Sequence, residues 1–225
     1  ALTCYEESLQ LCRESGDDLG VSTSLSNLGL AAAQNGDPVL ARQYLEQGLA
    51  LRRRLDDPIG VAYVLHILAD VAWMQGRAAE ALELNEEALT IRRRLEDRWG
   101  IAYSVDSLGI IARSRGDTAE GRRLFKESIA IFGELGNRQG LFDTVGHFAS
   151  VLAAEGRWFE TAVLLAAVSC QRTTLSIALA PHERSEFEAL EHQLSLCLQP
   201  ETLAAARVRG ANLSIHELAE YALAA

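Results

Sequence analysis

Apolar residues recur along this chain in steps of +4, +3 and +4. Val21, Leu25, Leu28 and Ala32 make one such run, and Val61, Leu65, Leu68 and Ala72 the next. Ile101, Val105, Leu108 and Ala112 repeat it, as do Leu141, Val145, Phe148 and Leu152. These steps return to one face of an α-helix, so each run predicts an amphipathic helix. A second apolar stripe follows each of the first three: Ala41, Leu45, Leu49; then Ala81, Leu84, Ala88, Leu89; then Gly121, Leu124, Phe125, Ile129.

The punctuation between the stripes keeps a period of 40 residues. Gly20, Gly60, Gly100 and Gly140 share one register, and Gly36, Gly76, Gly116 and Gly156 another. Asp17, Asp57, Asp97 and Asn137 stand at the helix starts, where their side-chain oxygens can accept orphan N–H groups. Asp57-Pro58 and Asp37-Pro38 add proline at the tolerated first helical position. Gly36 and its equivalents suit a left-handed residue closing the first helix of each unit. Each unit therefore reads as a helical hairpin, with helices of about 16–18 residues and short turns. Gly20 and its equivalents fall inside a first helical turn, where Gly costs about 1 kcal/mol against Ala. Their repetition predicts close approach of the preceding helix, and Ala41, Ala81 and Gly121 read the same way.

Leu28-Gly29, Leu108-Gly109 and the looser Leu68-Ala69, each followed four residues after the Leu by Ala32, Ala112 or Ala72, resemble the first helix of the tetratricopeptide repeat. Ala41, Leu45 and Gly48, with Ala81 and Ala88, match the small–large–small positions of its second helix. The resemblance covers about residues 1–175: a partial unit at 1–16, then full units at about 17–56, 57–96, 97–136 and 137–175. The period exceeds the usual 34 residues and is similar to a 40-residue variant common in large bacterial signalling proteins. The implied fold is all-α, a right-handed superhelical solenoid of hairpins with a C-terminal helical cap.

Beyond residue 175 the register is lost. The stretch 175–182 reads as a loop, and helices fit 183–197, 200–209 and 214–224. Ser214 with Glu217 forms a capping box. This segment, 176–225, would cover the apolar face of the last hairpin. Arg157 through Leu165, Pro181-His182-Glu183-Arg184, Phe187, Leu190, Ala204 to Arg207, Gly210, Leu213-Ser214 and Tyr221-Ala222-Leu223 resemble the extreme C-terminus of bacterial multidomain regulators. In those, a STAND-type ATPase, often with a LuxR-type or SARP-type DNA-binding domain, precedes a long tetratricopeptide array. The chain opens on Ala1 and has no leader pattern, so it reads as part of a longer cytoplasmic regulator.

Charge narrows the partners. The 31 acidic against 21 basic side chains give a net charge of −10, which disfavours a phosphate-backbone or membrane-surface binder. The expected partner is a protein or peptide segment, or a small effector, with no nucleic acid and no membrane. Cys4, Cys12, Cys170 and Cys197 form no metal-ligand spacing and read as buried structural thiols. Phosphate-cradling, zinc-protease and nucleophile-elbow motifs are missing, so neither a cofactor nor an enzymatic role is expected. His66 and Asp70 are an i,i+4 pair that reads as a side-chain contact on a solvent-facing helix. Arg52-Arg53-Arg54 and Arg92-Arg93-Arg94 recur in the last turn of second helices, where positive charge complements the helix dipole and nearby acids. They read as solvated faces.

In tetratricopeptide arrays the first helices line an inner groove. The resemblance implies groove positions Thr23, Ser26, Leu30, Ala33 and Gln34 in the first unit and Tyr63, His66, Asp70, Trp73 and Met74 in the second. The third supplies Tyr103, Asp106, Ile110, Arg113 and Ser114, and the fourth Asp143, Gly146, Ser150 and Ala153. Aromatic and charged residues concentrate in the middle units. Tyr63, His66, Asp70, Trp73, Tyr103, Asp106 and Arg113 are thus the candidate binding residues, with Trp73 as anchor. The competing account has Trp73 or Tyr63 packing against the neighbouring hairpin. The Lys/Asn carboxylate clamp of chaperone-binding tetratricopeptide domains is missing from these positions. The sequence thus points to a non-catalytic interaction scaffold. The alternative is a structural oligomerisation domain, pairing as a homodimer through the N-terminal helix.

Overall fold

The computed structural model describes residues 2–177 and 181–225, the latter without the side chains of 181–183. The described residues form twelve α-helices and no strand. In order these are α1 (Leu2–Ser15), α2 (Asp18–Gln34), α3 (Pro38–Arg54), α4 (Pro58–Met74), α5 (Ala78–Arg94) and α6 (Arg98–Ser114). Then come α7 (Thr118–Leu135), α8 (Arg138–Ala154), α9 (Trp158–Leu175), α10 (Pro181–Cys197), α11 (Pro200–Ala211) and α12 (Ile215–Ala224). The chain divides into two compact units, Ala1–Ser107 and Leu108–Ala225, with the boundary inside α6.

In the first unit α2 packs on α3 and α4 on α5 as hairpins, with α1 against α2. The predicted stripes are the core: Leu25, Leu28, Leu45, Leu65 and Leu68 are all buried. Asp17, Asp57 and Asp97 each accept from the N–H three residues on, at 2.9–3.0 Å, which caps the entries of α2, α4 and α6. Asp37 does the same for the N–H of Leu40. Gly36 and Gly76 close the first helices with φ of +79° and +72°, where a side chain would be strained. The second helices close on positive φ as well, at Gly16, Asp56 and Glu96.

Gly20, Gly60 and Gly100 show why their register is kept. A Cβ on Gly60 would lie 2.0 Å from a terminal nitrogen of Arg52, and on Gly100 2.6 Å from Nε of Arg92. On Gly20 it would meet Sγ of Cys12 at 2.5 Å. The approach predicted for the preceding helix is thus made by a side chain eight residues upstream, together with the capping aspartate, and not by its backbone.

The second unit is built on phenylalanine. Phe125, Phe132, Phe142 and Phe148, from α7 and α8, are all fully buried. Gly140 repeats the glycine relationship: its Cβ would sit 2.6 Å from the ring of Phe132, again eight residues back. α11 lies along α9, close enough that a Cβ on Gly210 would meet the carbonyl oxygen of Val163 at 2.2 Å. α12 packs on α7, α8 and α9 with Leu218 and Ala222 fully buried, and Ser214 and Glu217 form the expected capping box.

Two boundaries differ from expectation. α10 begins at Pro181 rather than 183, because proline is tolerated in a first turn. α11 runs on to Ala211. The expected loop at 175–182 falls in part on residues 178–180, outside the described residues. The thiols are also a correction: Cys4 and Cys197 are exposed and Cys12 and Cys170 half-buried, with Cys12 at the edge of the core cluster around Leu9. Among the described residues no helix is long and apolar enough to cross a membrane.

Candidate functional site

In the first unit the predicted site residues lie on α4 and the first part of α6. His66 is turned inward. Its Nδ1 lies 3.2 Å from Oδ1 of Asn85, which is buried on α5, while its Nε2 is 3.9 Å from the exposed carboxylate of Asp70. The pair is therefore a bridge from the buried Asn85 to a surface acid, not a contact made wholly in solvent. The His66 ring meets Tyr103 edge-on at 6.3 Å, and Tyr103 in turn packs on Trp99 at 4.5 Å between centroids. Three aromatic rings thus run from α4 across α6, each contributing the offset or edge contact that such rings prefer.

Exposure separates the candidates. Tyr63 is 36% exposed, and burial of its ring raises the phenol pKa while Arg52 pulls it back in part. Trp73 and Tyr103 are half-buried. Asp106 is buried at 8%. Among the described residues no three His, Cys, Asp or Glu side chains converge in a way that could hold a metal ion.

Beside Tyr63 an open cleft of about 590 Å³ runs between the starts of α4 and α6, lined by Arg52, Asp57, Ile59, Arg92, Leu95 and Trp99. Ile59 is 65% exposed and Trp99 52%. Leu19, at the same register one repeat earlier, is also exposed and borders an adjoining cleft with Thr23 and Leu55. Sequence reasoning missed this row. Its signal is a large apolar residue just before Gly20, Gly60 and Gly100, outside the +4, +3, +4 stripe and so free of the core.

The floor of the cleft corrects the reading of the arginine triplets. Arg53, Arg54, Arg93 and Arg94 are exposed, but Arg52 and Arg92 turn inward. Arg52 pairs with Asp57 and donates to Thr23 at 3.0 Å. Arg92, only 3% exposed, donates to the Gly100 carbonyl oxygen at 2.9 Å and to Ser104 at 2.7 Å. Burial lowers its pKa, an effect that the charges of Asp97 and Asp70 oppose. The room for these guanidinium stems is the room that the missing Cβ atoms of Gly60 and Gly100 leave.

Arg113, the last predicted site residue, lies in the second unit. It donates to Ser150 on α8 and to Glu186 on α10. Beside this cluster, Arg172 of α9 pairs with Asp143 of α8. A cavity of about 50 Å³ separates α8, α9 and α10, lined among others by Asp143, Gly146, His147, Phe187 and Leu190.

Comparison with known proteins fits this architecture. The chain matches no curated protein. Among solved structures it is similar to BtubC (BKLC) from P. vanneervenii, at 14% identity and a TM-score of 0.65, over 95% of this chain and 92% of that one. It is also similar to a putative kinesin light chain from Podosopora anserina with nearly identical TPR-like repeats, at 20% identity and a TM-score of 0.57, over 85% of this chain and 97% of that one. A single-substitution form of the latter aligns at 21% identity and a TM-score of 0.58, over 84% of this chain and 94% of that one. At these identities the likeness establishes the all-α repeat fold alone. The family model for the tetratricopeptide repeat matches residues 1–54 and 60–134, more than half of the sequence, and with the helical hairpins above it establishes that this chain belongs to the tetratricopeptide repeat family.

Proposed function

We propose that this chain is a non-catalytic scaffold that binds a protein segment on α4 and the start of α6, as the interaction arm of a bacterial transcriptional or signalling regulator. Tetratricopeptide repeats serve as protein-interaction scaffolds, since stacked hairpins present extended surfaces to a partner. The observation that carries the site is the ring series His66–Tyr103–Trp99 beside the exposed Asp70 carboxylate. Trp73 and Tyr63 stand on the same helix as His66, and Asp106 is one turn beyond Tyr103 on α6. Aromatic rings next to a fixed charge are the composition of binding hot spots. The regulator context is supported by the resemblance of residues 157–225 to the ends of STAND-type regulators, and a cytoplasmic location follows from that context.

The test is a peptide array spanning the other domains of the parent protein, probed with the wild-type chain and with Trp73→Ala. The expected result is a bound segment that loses about 2 kcal/mol or more of affinity on substitution, with unchanged circular dichroism. A lowered melting temperature with unchanged affinity would make Trp73 a packing residue and withdraw the site. A parent gene with no ATPase or DNA-binding output domain would remove the regulator reading.

A further inference from the structure

The second unit treats its inner helix differently from the first. Asp143, Gly146 and Ser150 of α8 stand 80 residues after Tyr63, His66 and Asp70 of α4, so they occupy the same face of the equivalent helix. On α8 that face is covered by α10. Glu186 of α10 pairs with Arg113, which also holds Ser150. Phe187 and Leu190 point with Asp143, Gly146 and His147 into the cavity beside α9.

The covering helix has a readable pattern. Leu190 and Leu194 are buried and Glu186 and Phe187 half-buried, whereas Arg184, Ser185, Glu188 and Ala189 are exposed. The inward residues fall at i, i+1, i+4 and i+8, one face of an amphipathic helix. Its carboxylate meets Arg113, with the His147 ring nearby adding favourable charge. The seat is incompletely filled, because the cavity of about 50 Å³ remains among α8, α9 and α10. Close-packed contacts leave few such spaces.

We propose that the face formed by α8 and Arg113 is a docking site for an amphipathic helix carrying a carboxylate, an aromatic residue at the next position and leucine at the fourth. α10 is its occupant in cis, and a partner helix of this chemistry competes with it. The guanidinium of Arg113 selects the carboxylate through a charge-assisted hydrogen bond, and the aromatic ring borders the cavity as Phe187 does. This site stands on the second unit alone, so the loss of binding at Trp73 would leave it untouched.

The probe is a labelled synthetic peptide of residues 181–197, titrated into the full chain. Replacing Glu186→Lys and Phe187→Ala in the chain weakens the cis helix, and the peptide should then bind at least tenfold tighter than to wild type. Adding Arg113→Glu to that background should remove the gain. Equal affinity for wild type and the double variant, or a gain that survives Arg113→Glu, would overturn the proposal. Hydrogen exchange on the unaltered chain decides independently of how the variants fold. Saturating peptide should speed exchange of the α10 amides while α8 and α9 stay protected, and unchanged α10 protection would refute competition for the same face.

Discussion

Arg92 donates to the carbonyl oxygen of Gly100, eight residues along, at 2.9 Å, and its stem fills the place where a Cβ on that glycine would sit. Arg52 fills the corresponding place beside Gly60, with its guanidinium pairing to Asp57. At both junctions a helix-favouring residue gives way to an inward-turned cation that ties the end of one helix to the start of the next.

Gly100→Ala tests that exchange. Alanine would gain about 1 kcal/mol of helix propensity at an unconstrained site. Here its Cβ would fall 2.6 Å from Nε of Arg92 and 2.2 Å from a carboxylate oxygen of Asp97, so both must shift. Displacing Arg92 breaks its bonds to Gly100 and Ser104, and overpacking of this kind costs about 1–3 kcal/mol. A lowered melting temperature is expected. In an Arg92→Ala background the same change should cost less by about 1 kcal/mol, as a double-mutant cycle measures.

The closing residues of the second helices offer a gain. Glu96 has φ of +56° and Asp56 +53°, at the register position that Gly16 and Gly136 hold. A left-handed conformation costs a residue with a side chain about 1–2 kcal/mol, part of which glycine gives back through the entropy of the unfolded chain. Glu96→Gly should therefore raise the stability in urea by about 0.5–1 kcal/mol, and Gly136→Glu should lower it. No change in the denaturation midpoint for either would mean that the turn is not strained.

Acid should loosen α10 in a predictable direction. Burial pushes the Glu186 carboxyl up, but the Arg113 hydrogen bond and charge, with those of His147 and Ser150, hold it below the ordinary carboxylate range. A carboxylate depressed by folding contributes stability above its unfolded pKa and loses it as pH falls through the folded value. The neighbouring charges are Arg113 on α6, His147 on α8, and the Asp143–Arg172 pair of α8 and α9. The protection of the α10 amides, taken relative to intrinsic exchange at each pH, should fall below the ordinary carboxylate range. Glu186→Gln should show that lower protection already at neutral pH, with a flatter pH response. A wild-type pH profile retained in the variant would assign the effect to another carboxylate.

Local chemistry made much of this protein legible from its residues. The +4, +3, +4 stripes, the Asp17, Asp57, Asp97 and Asn137 caps and the left-handed Gly36 series each involve atoms within a few residues of one another. A linear sequence carries such relationships in full. The 40-residue register then identified the hairpins, because equivalent positions face equivalent neighbours. What lay outside that reach depended on partners brought together by folding. Arg52 and Arg92 look like Arg53 and Arg93 in sequence, yet only the first of each triplet turns into the space beside a glycine of the next helix. His66 was legible as a neighbour of Asp70, one turn away, but its bond to Asn85 needs α5 to pack on α4. The fourth hairpin shows the limit most plainly. Register alone makes Asp143, Gly146 and Ser150 equivalent to Tyr63, His66 and Asp70, whereas the tertiary structure lays α10 over the first set and leaves Tyr63 and Asp70 exposed, because Glu186 finds Arg113 and Leu190 finds cover only once α8 and α9 are in place.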